Sequence, residues 1–234
     1  MLGLTNAALV ELCEHGRPGS PVERALLLLA AALPGQDAAA LAELDIPRRD
    51  AAVLAWRRRA LGSALPGVVD CPRCREALEF EFDADALLAA APVAAPETLR
   101  IGERSFRLPN SRDLIAATAI DDPAGATRQL LQRCCLDAGA EETWSDERLA
   151  EAEATMAAHA GASDTSFRLH CEACGHDWDA PFDICAYVWE ELDRRAQGLL
   201  DDVHRLALAY GWSEAAIIAL GDARRAAYLA RCDA

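Results

Sequence analysis

Two Cys-x-x-Cys motifs, far apart in the chain, constrain its fold more than any other sequence feature. Cys71 and Cys74 form the first motif, and Cys171 and Cys174 form the second. A short alternating apolar stretch lies before and after each motif, which predicts the same strand, knuckle, strand unit twice. Two such units side by side would supply four thiolates in a tetrahedron, the arrangement that a structural zinc ion prefers. The pattern therefore predicts one zinc ion in a split zinc ribbon.

The distance between the motifs is long for such a ribbon. It amounts to 96 residues, whereas a standard four-cysteine ribbon separates its pairs by roughly 15–20 residues. The cost of closing a loop grows only logarithmically with its length, so a folded insert is compatible with a shared site. Two separate dithiols, or a former ribbon that has lost its metal, are the alternatives. A redox role is disfavoured because neither motif opens a helix after a strand.

Composition narrows the class of protein further. The chain has 234 residues, enough for one or two domains, and Ala and Leu dominate while aromatic residues make up 6%, which favours helices. Its formal charge of −15 disfavours nucleic acid as a partner. The longest apolar run, Ala25 to Leu33, is too short for a membrane span, so we expect no membrane segment and a cytoplasmic protein. The remaining five cysteines are irregularly placed and read as reduced core residues.

The sequence predicts a mainly α protein with a small β zinc ribbon, an α+β fold with a mostly helical insert. Four regions are expected: an N-terminal helical region, 1–66; the split zinc ribbon, 67–83 and 166–182; an inserted hairpin and helical region, 84–165; and a C-terminal helical module, 183–234. Capping signals and apolar periodicity predict helices over 21–33, 46–62, 125–137, 146–160 and 183–210, the first opened by a capping box from Ser20 to Glu23, and a further helix capped by Asn110 or Ser111. The sequence also predicts a hairpin over 99–108 that turns at Gly102, and a flexible stretch over 89–96.

The C-terminal module carries the second group of candidate site residues. Gly211 ends the long helix, and two short helices follow it. Trp212 is expected to pack on Ile217 as a hydrophobic staple at the start of the first short helix. A set of aromatic and cationic side chains around these helices forms a candidate partner-binding surface: Trp212, Arg224, Arg225 and Tyr228. The alternative is that Tyr228 packs back on the long helix and the arginines pair with its acidic residues.

Several motifs together resemble one family of proteins. The motifs are Leu44-Asp45-Ile46 with Arg49-Asp50, both cysteine knuckles, Leu108-Pro109 with Arg112-Asp113-Leu114, Pro181-Phe182-Asp183-Ile184, His204-x-Leu206-Ala207-x-x-Tyr210-Gly211-Trp212-Ser213-Glu214, and Arg224-Arg225-x-x-Tyr228-Leu229. They resemble baseplate-associated proteins of contractile phage tails and extracellular contractile injection systems, and are similar to baseplate hub or hub-assembly proteins of T-even phages. This chain has Arg75 where the resemblance leads us to expect glycine, which usually accommodates a positive φ there.

The resemblance implies a non-enzymatic structural or assembly role, with baseplate, hub or spike proteins as partners, either in the finished particle or only during assembly. The sequence also lacks a glycine-rich phosphate loop, an HExxH motif and a nucleophile-base pair, as a scaffold would. A zinc-ribbon nucleic-acid-binding regulator is the alternative, with Tyr210 to Leu229 as a helix-turn-helix. A metalloenzyme is the third reading, with His170 or His176 replacing a cysteine ligand, but four cysteines would close the coordination sphere.

Overall fold

The computed structural model describes residues 4–90, 98–137, 145–159 and 165–232. The protein is about 60% helical with small antiparallel sheets, which confirms the predicted mainly α class with some β. The helices in these ranges are α1 Asn6–Gly16, α2 Pro21–Ala32, α3 Ala38–Glu43, α4 Ile46–Leu61, α5 Ala84–Ala90, α6 Ser111–Ala117, α7 Pro123–Cys134, α8 Asp146–Ala157, α9 Ile184–Tyr210, α10 Glu214–Ile218 and α11 Asp222–Cys232. The strands are β1 Ala64–Asp70, β2 Ala77–Asp83, β3 Leu99–Ile101, β4 Arg104–Phe106, β5 Thr165–Cys171 and β6 His176–Phe182.

The helix ends follow the local capping chemistry. Ser20 accepts a hydrogen bond from the backbone N–H of Glu23, whose side chain accepts one from Ser20 in return, so the predicted capping box of α2 is confirmed. Asp45 and Asp183 cap α4 and α9 with side-chain oxygens that accept hydrogen bonds from the backbone N–H groups of Arg48 and Ala186. Gly211 ends α9 in the left-handed conformation, with φ at 67°. These ends were readable from the sequence because each depends on two or three neighbouring residues.

Three helices were not predicted. α3 and α5 have six and seven residues, too few for an apolar period to stand out. α1 ends at Gly16, where the ring of Trp189 occupies the space that a β-carbon would need. Helix α5 covers the first two residues of the stretch predicted to be flexible, and residues 91–97 lie outside the described ranges.

Helix α9 organises the larger of two apolar cores. Its buried residues recur at helical spacing and contact α1, α2, α4, α10 and α11. Leu28, Leu29, Val53 and Leu54 from the N-terminal helices pack in this core with Val188 and Leu192 of α9, and Leu65 of β1 joins them. The N-terminal and C-terminal helices therefore share one core. Among the described helices, none combines the length and apolar composition that a membrane span requires.

The insert has a core of its own. Phe106 and Leu108 near the predicted hairpin pack with Leu131 and Cys134 of α7 and with Ala152 of α8. The hairpin forms as expected, with β3 and β4 paired around a turn at Gly102. Its packing partners in the described ranges come from the insert itself.

Polar groups connect the insert to the helical body. The backbone N–H of Ile46 donates to the carbonyl of Pro109 at 3.0 Å. The guanidinium of buried Arg49 lies 2.7 Å from Asp50 and donates to the hydroxyl of Ser111 at 3.2 Å. The thiol of Cys185 donates to Asp50 at 3.2 Å, which brings α9 into the same network. Because these groups are buried, each needs its partner, and the network fixes where α6 lies on α4.

Arg57 connects α4, α9 and the start of the first cysteine hairpin. Its side chain is 2% exposed and forms a two-pronged ion pair with Glu191, with both nitrogen–oxygen distances at 2.9 Å. Its third nitrogen donates to the carbonyl of Gly62 at 2.8 Å, just before β1. One guanidinium therefore holds the helical body and the base of the hairpin together.

We predict that Arg57→Lys destabilises the protein by roughly 2–4 kcal/mol, because an ammonium group cannot form the two-pronged pair and leaves buried acceptors unpaired. Chemical denaturation measures the loss. The neighbouring variant Arg58→Lys is the control: Arg58 is 46% exposed and pairs with Asp85, so its loss should stay below about 1 kcal/mol. Equal losses in the two variants would contradict the connecting role of Arg57.

Candidate metal centre

Two antiparallel hairpins carry the four cysteines. β1 pairs with β2 from Ala64↔Asp83 to Asp70↔Ala77, and β5 pairs with β6 from Thr165↔Phe182 to Cys171↔His176. Each hairpin turns at its Cys-x-x-Cys motif, so the repeated strand, knuckle, strand unit is confirmed. The first strand begins at residue 64 and not at the predicted residue 67. Leu65 extends the alternation of buried and exposed side chains and packs in the main core.

Side chains join the two hairpins, since the strands form separate two-stranded sheets. The rings of Phe82 and Phe167 stack across the gap with centroids 3.3 Å apart, and Phe182 meets both rings edge-on. Phe182 also contacts Tyr187 in the first turn of α9. The bases of the hairpins are therefore held by an aromatic group that rests on α9.

Glycine at position 67 makes room for part of this aromatic group. Gly67 lies opposite Phe80 in the register, and a β-carbon at position 67 would collide with the Phe80 ring. The ring can therefore lie across the backbone of β1 and stack on Phe82, with centroids 4.7 Å apart. The hydroxyl of Tyr187 donates to the carbonyl of Pro66 at 2.8 Å and fixes this strand against α9.

The two knuckles have the same backbone geometry. The N–H of Arg75 donates to the carbonyl of Cys71 at 2.9 Å, and the N–H of Gly175 donates to the carbonyl of Cys171 at 2.8 Å. Both Arg75 and Gly175 have φ at 66°, and Arg75 is the only non-glycine residue with positive φ among the described residues. The first knuckle therefore holds an L-residue in a conformation that costs energy, as the missing glycine led us to expect.

The four sulfur atoms converge at the tips of the hairpins. The Sγ atoms of Cys71 and Cys174 lie 3.7 Å apart, those of Cys74 and Cys171 lie 3.6 Å apart, and all four fall within 4.8 Å of one another. A tetrahedron with metal–sulfur bonds of about 2.3 Å has sulfur–sulfur edges of about 3.8 Å. The four thiols are not bonded to one another. Their spacing fits a single metal ion bound between the hairpins.

Backbone N–H groups point at these sulfur atoms. Those of Arg73 and Cys74 bond to the Cys71 sulfur, and those of Glu76 and His176 bond to the sulfurs of Cys74 and Cys174. Such bonds stabilise the thiolate form, which is the form that binds a metal.

Without a cation, the thiols cannot all ionise together. Burial raises the pKa of Cys71, but its N–H donors and the thiols of Cys74 and Cys171 together outweigh burial and lower that pKa to about 7. The N–H of Glu76 lowers the pKa of Cys74, while burial and the three neighbouring thiols raise it to about 12. A dication at the centre would remove this repulsion between thiolates.

The histidines beside the second knuckle lie outside the cluster. His170 pairs with Asp177 at 2.9 Å, and His176 stacks on Trp178 with ring centroids 5.8 Å apart. In the described part of the chain, the cysteines form the only group of three or more potential ligands close enough to hold a metal ion. Four thiols fill a tetrahedron and leave no position for a substrate.

The candidate partner-binding residues have different environments. Trp212 and Tyr228 pack edge to face with centroids 4.8 Å apart, and Tyr210, which the sequence analysis did not select, stacks on Trp212 at 4.8 Å. Arg224 is exposed, whereas Arg225 is 8% exposed and pairs at 2.8 Å with both Asp202 and Asp222. These positions follow the alternative reading for Tyr228 and Arg225, in which the last helix packs back on α9.

Ile217 is fully buried, as a staple residue should be, while the Trp212 ring packs on the two tyrosines. The Tyr210-Gly211-Trp212 sequence carried a signal for Tyr210, because a left-handed glycine between two aromatic residues reverses the chain and brings their rings together.

We predict that Arg75→Gly stabilises the protein by roughly 1 kcal/mol, since glycine adopts positive φ without the steric cost of a β-carbon. The matched variant is Gly175→Ala in the second knuckle, where a β-carbon meets no atom within 4 Å but φ stays at 66°. It should lose about 1–2 kcal/mol by the same backbone effect. Thermal unfolding of the two variants measures both shifts, and shifts of the same sign would refute the strain at Arg75.

Comparisons of the chain with protein-family models, with curated proteins and with solved structures found no match.

Proposed function

We propose that the four cysteines bind one structural zinc ion, and that this ion joins the two hairpins into a zinc ribbon. The single observation that carries the proposal is the convergence of Cys71, Cys74, Cys171 and Cys174, with sulfur atoms 3.6–3.7 Å apart across the hairpins. Zinc has no geometric preference that opposes a tetrahedron, and four thiolates form a closed structural site for it. Iron favours the same ligand set and is the competing ion.

The role of the ion in this proposal is mechanical. It would lie at the tips of the two hairpins, whose opposite ends, Asp83 and Thr165, lead into and out of the insert. Binding in the folded state alone would stabilise the ribbon, because the ion would join the two hairpins at their tips. The closed coordination sphere supports a structural role over a catalytic one, because a catalytic zinc keeps a position for water or substrate.

For the whole chain, we propose a non-enzymatic structural or assembly role in the baseplate of a contractile injection system. The motif resemblance supports this role, and the candidate docking surface is formed by exposed Tyr210 and Arg224 together with half-buried Trp212 and Tyr228 of the C-terminal module. The partners would be baseplate, hub or spike proteins, met in the cytoplasm. The charge of −15 argues against the nucleic-acid alternative.

We predict one equivalent of zinc per chain in protein purified without chelator, with iron absent. Elemental analysis measures the metal, and a thiol assay under denaturing conditions checks that the cysteines are reduced. A red-brown protein with one equivalent of iron would replace zinc by iron. A reduced protein that takes up no metal when titrated with zinc would overturn the shared site.

Each of Cys71→Ser and Cys171→Ser should cost several kcal/mol of stability, and the double variant should cost little more than either one, because both remove the same cross-link. Cys135→Ser is the control, since Cys135 is half-buried and lies outside the cluster. It should retain the metal and most of the stability. Additive losses for Cys71→Ser and Cys171→Ser would mean that each knuckle acts alone.

The docking proposal has its own test. Arg224→Ala should leave the melting temperature nearly unchanged and weaken co-purification with baseplate proteins expressed alongside, because Arg224 is exposed. Arg225→Ala should lower the melting temperature by several degrees, since it leaves Asp202 without its partner. Unchanged co-purification of Arg224→Ala would remove this residue from the docking surface. Binding of the parent protein to DNA at low salt would favour the regulator instead.

A further inference from the structure

Helix α9 contains one glycine, Gly198, for which the fold of a single chain gives no steric reason. Gly198 lies in the middle of the 27-residue helix and is exposed, and a β-carbon built there would meet no atom within 4 Å. Glycine is the least favourable residue after proline in a helix interior. By contrast, Gly16 and Gly67 make room for the rings of Trp189 and Phe80. A glycine in such a position permits close approach of another backbone.

The exposed face of α9 around this glycine carries alternating charges. Glu190, Arg194, Asp201 and Arg205 are all exposed and lie at spacings of four, seven and four residues, which places them in one stripe with Gly198. Leu208 extends the stripe and is 75% exposed, the largest exposure among the large apolar side chains of the described residues. Glu191 and Asp202, which lie beside the stripe, pair with Arg57 and Arg225.

This stripe is complementary to itself in the antiparallel direction. Two copies of α9 can be placed antiparallel around the midpoint between residues 197 and 198. Residue 197 − n of one copy then faces residue 198 + n of the other. Glu190 then faces Arg205, and Arg194 faces Asp201. The same operation places exposed Leu208 opposite Tyr187, which is half-buried in the first turn of α9. Every charge of the stripe meets an opposite charge.

We propose that this face of α9, Glu190 to Leu208, is the interface of a symmetric dimer of the protein. The two helices run antiparallel, Gly198 lies at their crossing, and the two-fold axis passes beside it. Such an interface is isologous, since the same patch is used by both copies. Glycine at the crossing lets the helix axes come closer than larger side chains allow.

The length and the polarity of the stripe set the expected affinity of the dimer. Glu190 and Leu208 are 18 residues apart, which corresponds to about 27 Å of helix. A single helix pair of this length is a small interface, its core is mostly polar, and each copy carries a charge of −15. We therefore expect a dissociation constant of about 10–100 μM. The dimer does not depend on the proposed metal or on baseplate partners, so its failure would leave those proposals standing.

Two complementary charge reversals test the pairing. Arg194→Glu and Asp201→Arg each place two pairs of like charges in the homodimer, so each variant alone should dimerise at least about tenfold more weakly than the parent. In an equimolar mixture, Glu at 194 of one chain faces Arg at 201 of the other, and the two native residues face each other in turn. The mixture should therefore form a heterodimer. Sedimentation velocity over a concentration series measures all three samples.

Gly198→Gln tests the crossing point. The substitution should leave the thermal stability of the dilute protein unchanged or raise it, because glutamine favours helices, but it should abolish dimerisation by filling the contact.

Arg59→Glu is the control for the charge variants. It makes the same charge change as Arg194→Glu at an exposed position of α4, and it should dimerise like the parent. A parent protein that stays monomeric at several hundred micromolar overturns the proposal. A mixture of the two charge variants that remains monomeric, or a dimer that survives Gly198→Gln, also overturns it.

Discussion

The position of the two hairpins relative to each other depends on four sulfur atoms at their tips. The hairpins have no strand pairing with each other in the described structure, so their relative position rests on side chains: the aromatic group at the base and the cysteines at the tip. Thiolates held this close repel one another, and the pKa of Cys74 is accordingly raised to about 12. A bound dication would replace that repulsion with attraction between the metal and the thiolates of both hairpins.

The aromatic group connects this point to the rest of the protein. Phe82 and Phe182 belong to different hairpins, and both lie on the core that α9 organises. Arg57 adds a buried ion pair to α9 and a hydrogen bond to the carbonyl of Gly62, two residues before the first hairpin strand. The two hairpins are therefore connected to the helical body by a continuous network of side chains. The insert has its own apolar core and meets the body mainly through buried polar groups around Arg49 and Asp50.

Local signals were enough to predict much of the fold and to identify the four cysteines that could form a cluster. The capping box at Ser20, the turn at Gly102 and the left-handed end at Gly211 each depend on a few neighbouring residues, and all were confirmed. Helices α3 and α5 escaped prediction because six or seven residues are too few to establish a period. The sequence left two interpretations open for Arg225, because its burial depends on Asp202, which lies in another helix 23 residues earlier in the chain.

The sequence by itself determined which atoms could meet a metal, because two knuckles of the same local plan can form one tetrahedral site wherever the chain brings them together. It also determined the strained turn at Arg75, since a φ of 66° follows from the knuckle and not from its surroundings. Tertiary structure decided that the two knuckles meet, with cross-hairpin sulfur distances of 3.6 and 3.7 Å. It also decided which charges remain exposed. Glu191 and Glu190 are neighbours in the chain, yet only packing against α4 places Glu191 beside Arg57 and leaves Glu190 at the surface. A helix turns each residue by a fixed angle, but what lies on each side is set by elements far away in sequence.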